Sequence, residues 1–416
     1  MPGLSYKVRT TLTVWRQGLW RYRLTAAGGL LAVWGAATSL SELPTVVNAA
    51  VGAVGLVTAV LEIRSNRRSS ALLEFHPRKT DEYRDVVEQL SAPDRIVRTA
   101  TDVGAVLSRQ TDQLLTGTVN AQIASGDFDL HQELRRYSFD FLARRARKGA
   151  MHNDPVLGLA SDLPVDPASE PVTFRRAMYF DFVCSNLLAQ NDAYSATHQM
   201  PVLSGRRLFI DRQGKLRPFA HSRLANTVGV STLAFTSDGK LVLVKQTNDN
   251  VGSPGLFAPS GSGALEPKDL NTNNNNPLTV RSVVLNGAER ELQEECNIKP
   301  EEIISSCVVG HARWISRGAM PEFSAVTLLN LTSDELMTRG IRRSERTFVH
   351  RVQTVRLNDP KTWDADRPLD MLSTDDRTQS SWPLALALSC LAERITDQHW
   401  PMREALLDAL NGQRRP

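Results

Sequence analysis

Cysteine is scarce in this chain: four in 416 residues, at positions 184, 296, 307 and 390. So widely spaced, they build neither a disulfide framework nor a paired-thiolate metal site, and they read as ordinary buried thiols. Histidine is also sparse, and His131 and His152 have no partner at ligand spacing, which leaves them as structural or surface residues. An excess of one charge is missing as well. Lys and Arg number 49 against 45 Asp and Glu, a net +4 that is too small to indicate a nucleic-acid polymer as partner. Much of that excess flanks two apolar runs near the N-terminus, which points to anionic lipid instead. The length allows two or three domains.

The apolar runs, 24–40 and 46–63, are separated by Ser41-Glu42-Leu43-Pro44 and lie near the lower limit for crossing a bilayer. Lys7, Arg9, Arg16, Arg21 and Arg23 precede them, and Arg64, Arg67 and Arg68 follow, which would keep both ends in the cytoplasm. Trp15, Trp20 and Tyr22 sit where an interfacial belt belongs. Gly28, Ala32 and Ala36, then Ala49 and Ala53, give small faces suited to helix packing and hence to homo-oligomers. A cleavable signal peptide and a buried helical hairpin are the competing readings. The expectation is a two-helix transmembrane hairpin over 1–68, with the lipid bilayer as partner through residues 24–63.

A helical spacer is expected over 69–170, from three- and four-residue apolar spacing in 81–90, 94–124 and 129–148, with breaks at Pro93 and Gly126. Its last helix ends in Arg144-Arg145-Ala146-Arg147-Lys148, read either as favourable charge at a helix C-terminus or as a phosphate- or lipid-binding patch. After a proline-rich linker, residues 171–225 read as a β-rich lead-in, with a strand at 172–183 and a hairpin around Gln213-Gly214.

The richest signal lies in 226–400. Two β-rich runs, 228–236 and 241–247, flank Ser237-Asp238-Gly239-Lys240, a strong hairpin signal. Pro259-Ser260-Gly261-Ser262-Gly263-Ala264-Leu265-Glu266 follows as a Gly-rich loop ending in a carboxylate. Then comes a helix carrying Arg290-Glu291-Leu292-Gln293-Glu294-Glu295-Cys296-Asn297-Ile298. Leu285, Ala288, Leu292 and Cys296 form its apolar stripe, and Glu291, Glu294 and Glu295 share the other face. Like charges so placed repel, so the pattern reads either as a solvated face or as a site for a divalent cation such as Mg²⁺. Gly287, on the carboxylate face, would let a substrate phosphate approach the backbone. Strands at 307–315, 321–330 and 346–357 and a helix at 382–395 complete the region, and Glu322 is an extra carboxylate candidate beside the plainer reading of a strand-end residue.

This order of hairpin, Gly-rich loop, carboxylate and acidic helix resembles the Nudix hydrolases over roughly residues 225–360. The resemblance implies an α+β chain whose C-terminal part is an α/β/α sandwich with a mixed sheet. It makes Glu291, Glu294 and Glu295 the catalytic and metal carboxylates, oriented by Arg290, with Glu266 as a further ligand and Gly261, Gly263 and Gly287 lining the substrate. Mg²⁺ or Mn²⁺ would be the cofactor, and a nucleoside diphosphate-linked small molecule the substrate. Two departures stand out: Asn297 replaces the family's glycine, and an Asn-rich insertion runs from Lys268 to about Leu285.

Two spans, a spacer and a C-terminal Nudix domain also resemble effectors of bacterial cyclic-oligonucleotide antiphage systems (CBASS). That implies a multi-pass protein of the bacterial inner membrane, with both termini and the Nudix domain cytoplasmic and a cyclic oligonucleotide as activator. Three functions stay open: an activated hydrolase, a non-catalytic sensor that disrupts the membrane through the hairpin, and a constitutive membrane-proximal diphosphate hydrolase.

Overall fold

The computed structural model describes residues 119–146, 153–164, 170–195, 200–248, 253–271 and 277–412, with short stretches at 73–79, 83, 85–86, 90, 94–97 and 104–107. Its N-terminal part contributes β1 (Leu73–Pro77), β2 (Arg95–Val97), β3 (Ala105–Leu107), β4 (Ala121–Ile123), α1 (Gln132–Ala146), β5 (Pro155–Leu159), β6 (Val172–Met178), β7 (Asn191–Ser195) and β8 (Leu203–Ser204). The C-terminal part adds β9 (Gly229–Phe235), β10 (Leu241–Gln246), β11 (Phe257–Ala258), β12 (Gly261–Ala264), α2 (Val280–Cys296), β13 (Ile303–Trp314), β14 (Met320–Leu329) and β15 (Val349–Val355). The helices α3 (Trp382–Arg394) and α4 (Arg403–Leu410) close the chain.

A nine-stranded sheet runs in the order β11-β10-β9-β14-β13-β3-β2, with β12 paired to β9 and β15 to β10. The β9–β14 pair is parallel and the other pairings are antiparallel, so the sheet is mixed as expected. Every residue of β9 and of β14 is buried. Strands covered on both faces need this kind of unbroken apolar and small-residue run. Along β9, Val230 and Ala234 pack with residues of α2, while Leu233 and Phe235 share a cluster with Leu384 and Leu388 of α3. The two helices therefore cover opposite faces of the sheet. Trp382, at the start of α3, stacks on Trp314 at 4.1 Å between ring centroids.

The β9–β10 hairpin turns at Gly239, whose φ of +74° only glycine adopts without strain. Thr279 caps α2 by accepting the Ser282 N–H at 3.1 Å, and Asn297 ends the helix in the left-handed region at φ 55°. Asn297 substitutes for glycine with added tethers: its Nδ2 donates to the Gly340 carbonyl at 3.2 Å, and its Oδ1 accepts from Arg342 at 3.1 Å.

Several expectations need correction. Residues 94–124, read as helix, contain β2, β3 and β4. The reason is tertiary: β3 pairs with β13, Ala312 opposite Leu107, so short segments are drawn into a distant sheet. The hairpin around Gln213-Gly214 shrinks to one bridge, Ile210 to Leu216, after a 3-10 turn at Gly205–Leu208. The insertion gives way to helix at Val280, earlier than Leu285. The transmembrane runs at 24–40 and 46–63 lie outside the described residues. Among the described residues no helix is long and apolar enough to cross a membrane, so the expectation of a multi-pass inner-membrane protein is corrected to this extent: the described part of the chain contains no helical span.

One acid sits inside the sheet. Glu322 of β14 is 4% exposed, and its Oε1 accepts from Ser231 Oγ at 2.9 Å. Gly229 opposite makes the room: a Cβ there would fall 1.8 Å from Glu322 Oε2. Burial raises the Glu322 carboxyl to about 7, against the opposing pull of the Ser231 hydrogen bond and Arg317. The folded state therefore holds this proton where the unfolded chain has already released it, so stability falls as pH rises from about 4.5 to about 7. Against Glu322→Gln, the wild type should lose up to about 3 kcal/mol between pH 4 and pH 8 in denaturant titrations. A difference that does not change with pH would contradict this.

Candidate active site

Three pieces of chain converge on one face of α2: the helix itself, β12, and the 3-10 turn Pro267–Leu270. Glycine permits the convergence. A Cβ at Gly261 would lie 2.4 Å from the Leu292 nitrogen, at Gly263 2.1 Å from Glu291 Oε1, and at Gly287 2.3 Å from Leu265 Cδ2. Such separations are far inside van der Waals contact. The three glycines thus set the spacing between strand, loop and helix. Gly287, expected to leave backbone open for a substrate, is buried and faces Leu265 and Asp269.

Arg290 ties the pieces together. Its side chain is 12% exposed, and its Nε and Nη2 donate to Asp269 Oδ1 and Oδ2 at 2.8 and 3.0 Å. Nη2 also donates to the Ala264 carbonyl at 2.9 Å, while Nη1 reaches Glu291 Oε1 at 2.7 Å, Glu294 Oε2 at 3.3 Å and Glu266 Oε1 at 3.4 Å. Only the planar guanidinium offers donors in this fork, so lysine would not replace it. Despite its burial the cation is held charged by Asp269, Glu291 and Glu266.

Asp269 was not singled out in the sequence, where Glu266 was taken as the loop's carboxylate. The structure gives Asp269 the two-pronged contact and almost complete burial, its side chain being 2% exposed, whereas Glu266 stays 30% exposed and reaches Arg290 only at 3.4 Å. The available signal was a capping box: Asp269 Oδ2 accepts the Glu266 N–H at 2.8 Å, so an acid three positions after Glu266 closes its own turn.

The four expected carboxylates divide into two environments. Glu266 and Glu294 share Lys268 at the rim, at 3.1 and 3.4 Å. Glu291 and Glu295 point inward. Burial pushes Glu291 up to about 7 against the pull of Arg290, with Glu294 and Glu266 adding to the rise. Glu295, 7% exposed, is raised well above the usual carboxylate range by burial and then by Glu291 and Glu345, against a hydrogen bond from the Ser262 backbone. Its Oε2 is buried with no hydrogen-bond partner. Glu345 lies in a 3-10 turn far along the chain, and no local pattern marks it.

The expected ligand set of Glu266, Glu291, Glu294 and Glu295 is not assembled: among the described residues no group of three or more His, Cys, Asp or Glu is arranged to hold a metal ion. Arg290 stands among the carboxylates, its Nη1 shared by Glu291, Glu294 and Glu266, while Lys268 pairs with the outer two. The four cysteines are buried free thiols, as expected.

No family model matches the chain, and no curated protein matches it. Solved structures to which part of the chain is similar include the following two. DR0079 from Deinococcus radiodurans is 16% identical over 27% of this chain and 71% of its own, with a TM-score of 0.18. Tm1382, named as a candidate Nudix hydrolase, is 11% identical over 40% of this chain and 71% of its own, with a TM-score of 0.24.

The contrast between the two loop acids is measurable. Asp269→Ala strands a buried guanidinium and should cost about 3 kcal/mol or more in unfolding free energy. Glu266→Ala removes a partly exposed pair and should cost about 1 kcal/mol or less. Equal costs would show that Asp269 does not anchor the loop.

Proposed function

We propose that the chain is a Nudix-type hydrolase that cleaves a diphosphate linkage in a nucleotide-type small molecule with Mg²⁺ or Mn²⁺ as cofactor. The observation that carries this reading is the inner pair: two acids on successive turns, Glu295 buried and Glu291 nearly so, each raised by burial and by its acidic neighbours, with one carboxylate oxygen of Glu295 left unpartnered. Buried polar atoms without partners are uncommon, and those that persist mark strain or function. A divalent cation is what such a pair lacks, because it would satisfy the free oxygen and offset the mutual repulsion. The residues therefore fit the cofactor in chemistry, with Glu291 and Glu295 as its holders. When bound, it would polarise phosphoryl oxygens and acidify a nearby water.

The chain's own groups supply the remainder. Arg290 fixes Glu291 through Nη1 and keeps it from swinging into solvent. An ionised carboxylate of the pair can take the proton of an attacking water through an oxygen that does not hold the cation. The water oxygen forms a bond to phosphorus, the bridging phosphorus–oxygen bond breaks, and its electron pair leaves with the departing phosphate. Glu266, Glu294 and Lys268 give the exposed edge of the site mixed charge, which repels a polyanion less than an all-acidic edge would. The antiphage role rested on the N-terminal architecture, and no described residue supports it.

The full chain should hydrolyse one or more of a panel of nucleoside triphosphates, dinucleoside polyphosphates, nucleotide sugars and cyclic oligonucleotides, with either Mg²⁺ or Mn²⁺. Glu295→Gln should lower kcat/KM by about 10²-fold or more. Turnover that is unchanged in the variant, or absent for every compound, would contradict the reading.

A further inference from the structure

A second concave region lies away from the acidic helix. Two adjoining cavities, of about 440 and 640 Å³, share Ser204, Arg207 and Arg217 in their walls. They are framed by β8, the 3-10 turn Gly205–Leu208 and the segment 209–223. None of their lining residues belongs to the candidate active site. Leu203 and Leu208 beneath them pack in the core cluster that contains α3, whereas α2 packs in the clusters on the other face of the sheet.

The walls carry five arginines, Arg206, Arg207, Arg212, Arg217 and Arg223, against two acids, Glu133 and Asp211. Arg206 is held by Asp85, with Nη1 donating to Oδ1 at 2.9 Å, and Arg223 by Glu133 at 3.1 Å. Asp211 spends Oδ1 on the backbone N–H groups of Gln213 and Lys215, both at 2.9 Å, which closes the turn that carries Arg212. Arg217 donates its Nε to the Arg207 carbonyl at 3.2 Å, which fixes the guanidinium and leaves its two terminal nitrogens over. Among the described residues no carboxylate pairs with Arg207, Arg212 or Arg217. Three like charges around one concavity repel, and an anion with several oxygens relieves that repulsion while matching the forked donors.

We propose that this groove binds a compact phosphorylated small molecule, such as a diphosphate group, at a site separate from the carboxylate helix. Its concavity favours a small ligand over a flat surface. No Phe, Tyr or Trp lines either cavity, so the stacking platform used by single-stranded nucleic acid is absent there. Met200, 77% exposed at the edge, gives the organic part of a ligand an apolar contact. The proposal does not depend on the hydrolase reading.

The test is calorimetric titration of inorganic pyrophosphate into the full chain in EDTA, which removes divalent cations from the acidic site. The R207Q/R212Q variant changes two exposed side chains that make no hydrogen bond or ion pair with any described residue, so its fold should be intact. R356Q/K361Q alters charge equally at exposed positions elsewhere. Pyrophosphate should bind the wild type, the charge-matched control and Glu295→Gln with equal affinity, and R207Q/R212Q at least tenfold more weakly. Absence of binding to the wild type, or equal binding to R207Q/R212Q, would overturn the proposal. A parallel arm uses phosphatidylglycerol vesicles: arginine-dependent vesicle binding without pyrophosphate binding would assign these residues to a lipid surface and overturn the small-molecule site.

Discussion

The guanidinium of Arg290 is where the acidic helix, the glycine strand and the following turn meet, and the rest of the site is arranged around it. Burying a cation costs several kcal/mol unless its donors are satisfied. Asp269 meets that cost with two oxygens, the Ala264 carbonyl adds a third acceptor, and Glu291 takes the remaining face. The arrangement requires α2 to lie against β12 at a distance that only glycine at 261 and 263 permits. It also explains why the carboxylates do not form one cluster: the arginine stands among them.

Two opposite electrostatic situations coexist in the fold. At α2, acids outnumber the cations within reach, and the innermost pair is raised by burial and by neighbouring acids. At the groove beside β8, guanidiniums outnumber the acids, because Asp85, Glu133 and Asp211 are already engaged. Each imbalance is a surplus the chain leaves uncompensated. Their placement against cores on opposite faces of the sheet keeps them apart.

Much of the C-terminal architecture was legible because its signals are local. Two β-rich runs around an Asp-Gly turn marked β9 and β10, and three- and four-residue apolar spacing marked α2. What escaped was set by partners distant in the chain. The strands β2 and β3 are three residues each and owe their state to β13. The grip of Arg290 on Asp269 is set by the fold, with only the position of Asp269 three residues after Glu266 as a local sign, and the glycines serve packing because of what lies above them. Arg207, Arg212 and Arg217 carry no distinguishing pattern in the sequence, and only the fold places them around one cavity.

The central claim is that Glu291 and Glu295 form the cation-binding heart of a hydrolytic site. The most direct measurement is a Mn²⁺ titration of the full chain followed by electron paramagnetic resonance, compared with Glu291→Gln/Glu295→Gln. Saturable binding by the wild type, weakened at least tenfold in the double variant, is the predicted result. Equal Mn²⁺ affinity in the two proteins would contradict the account.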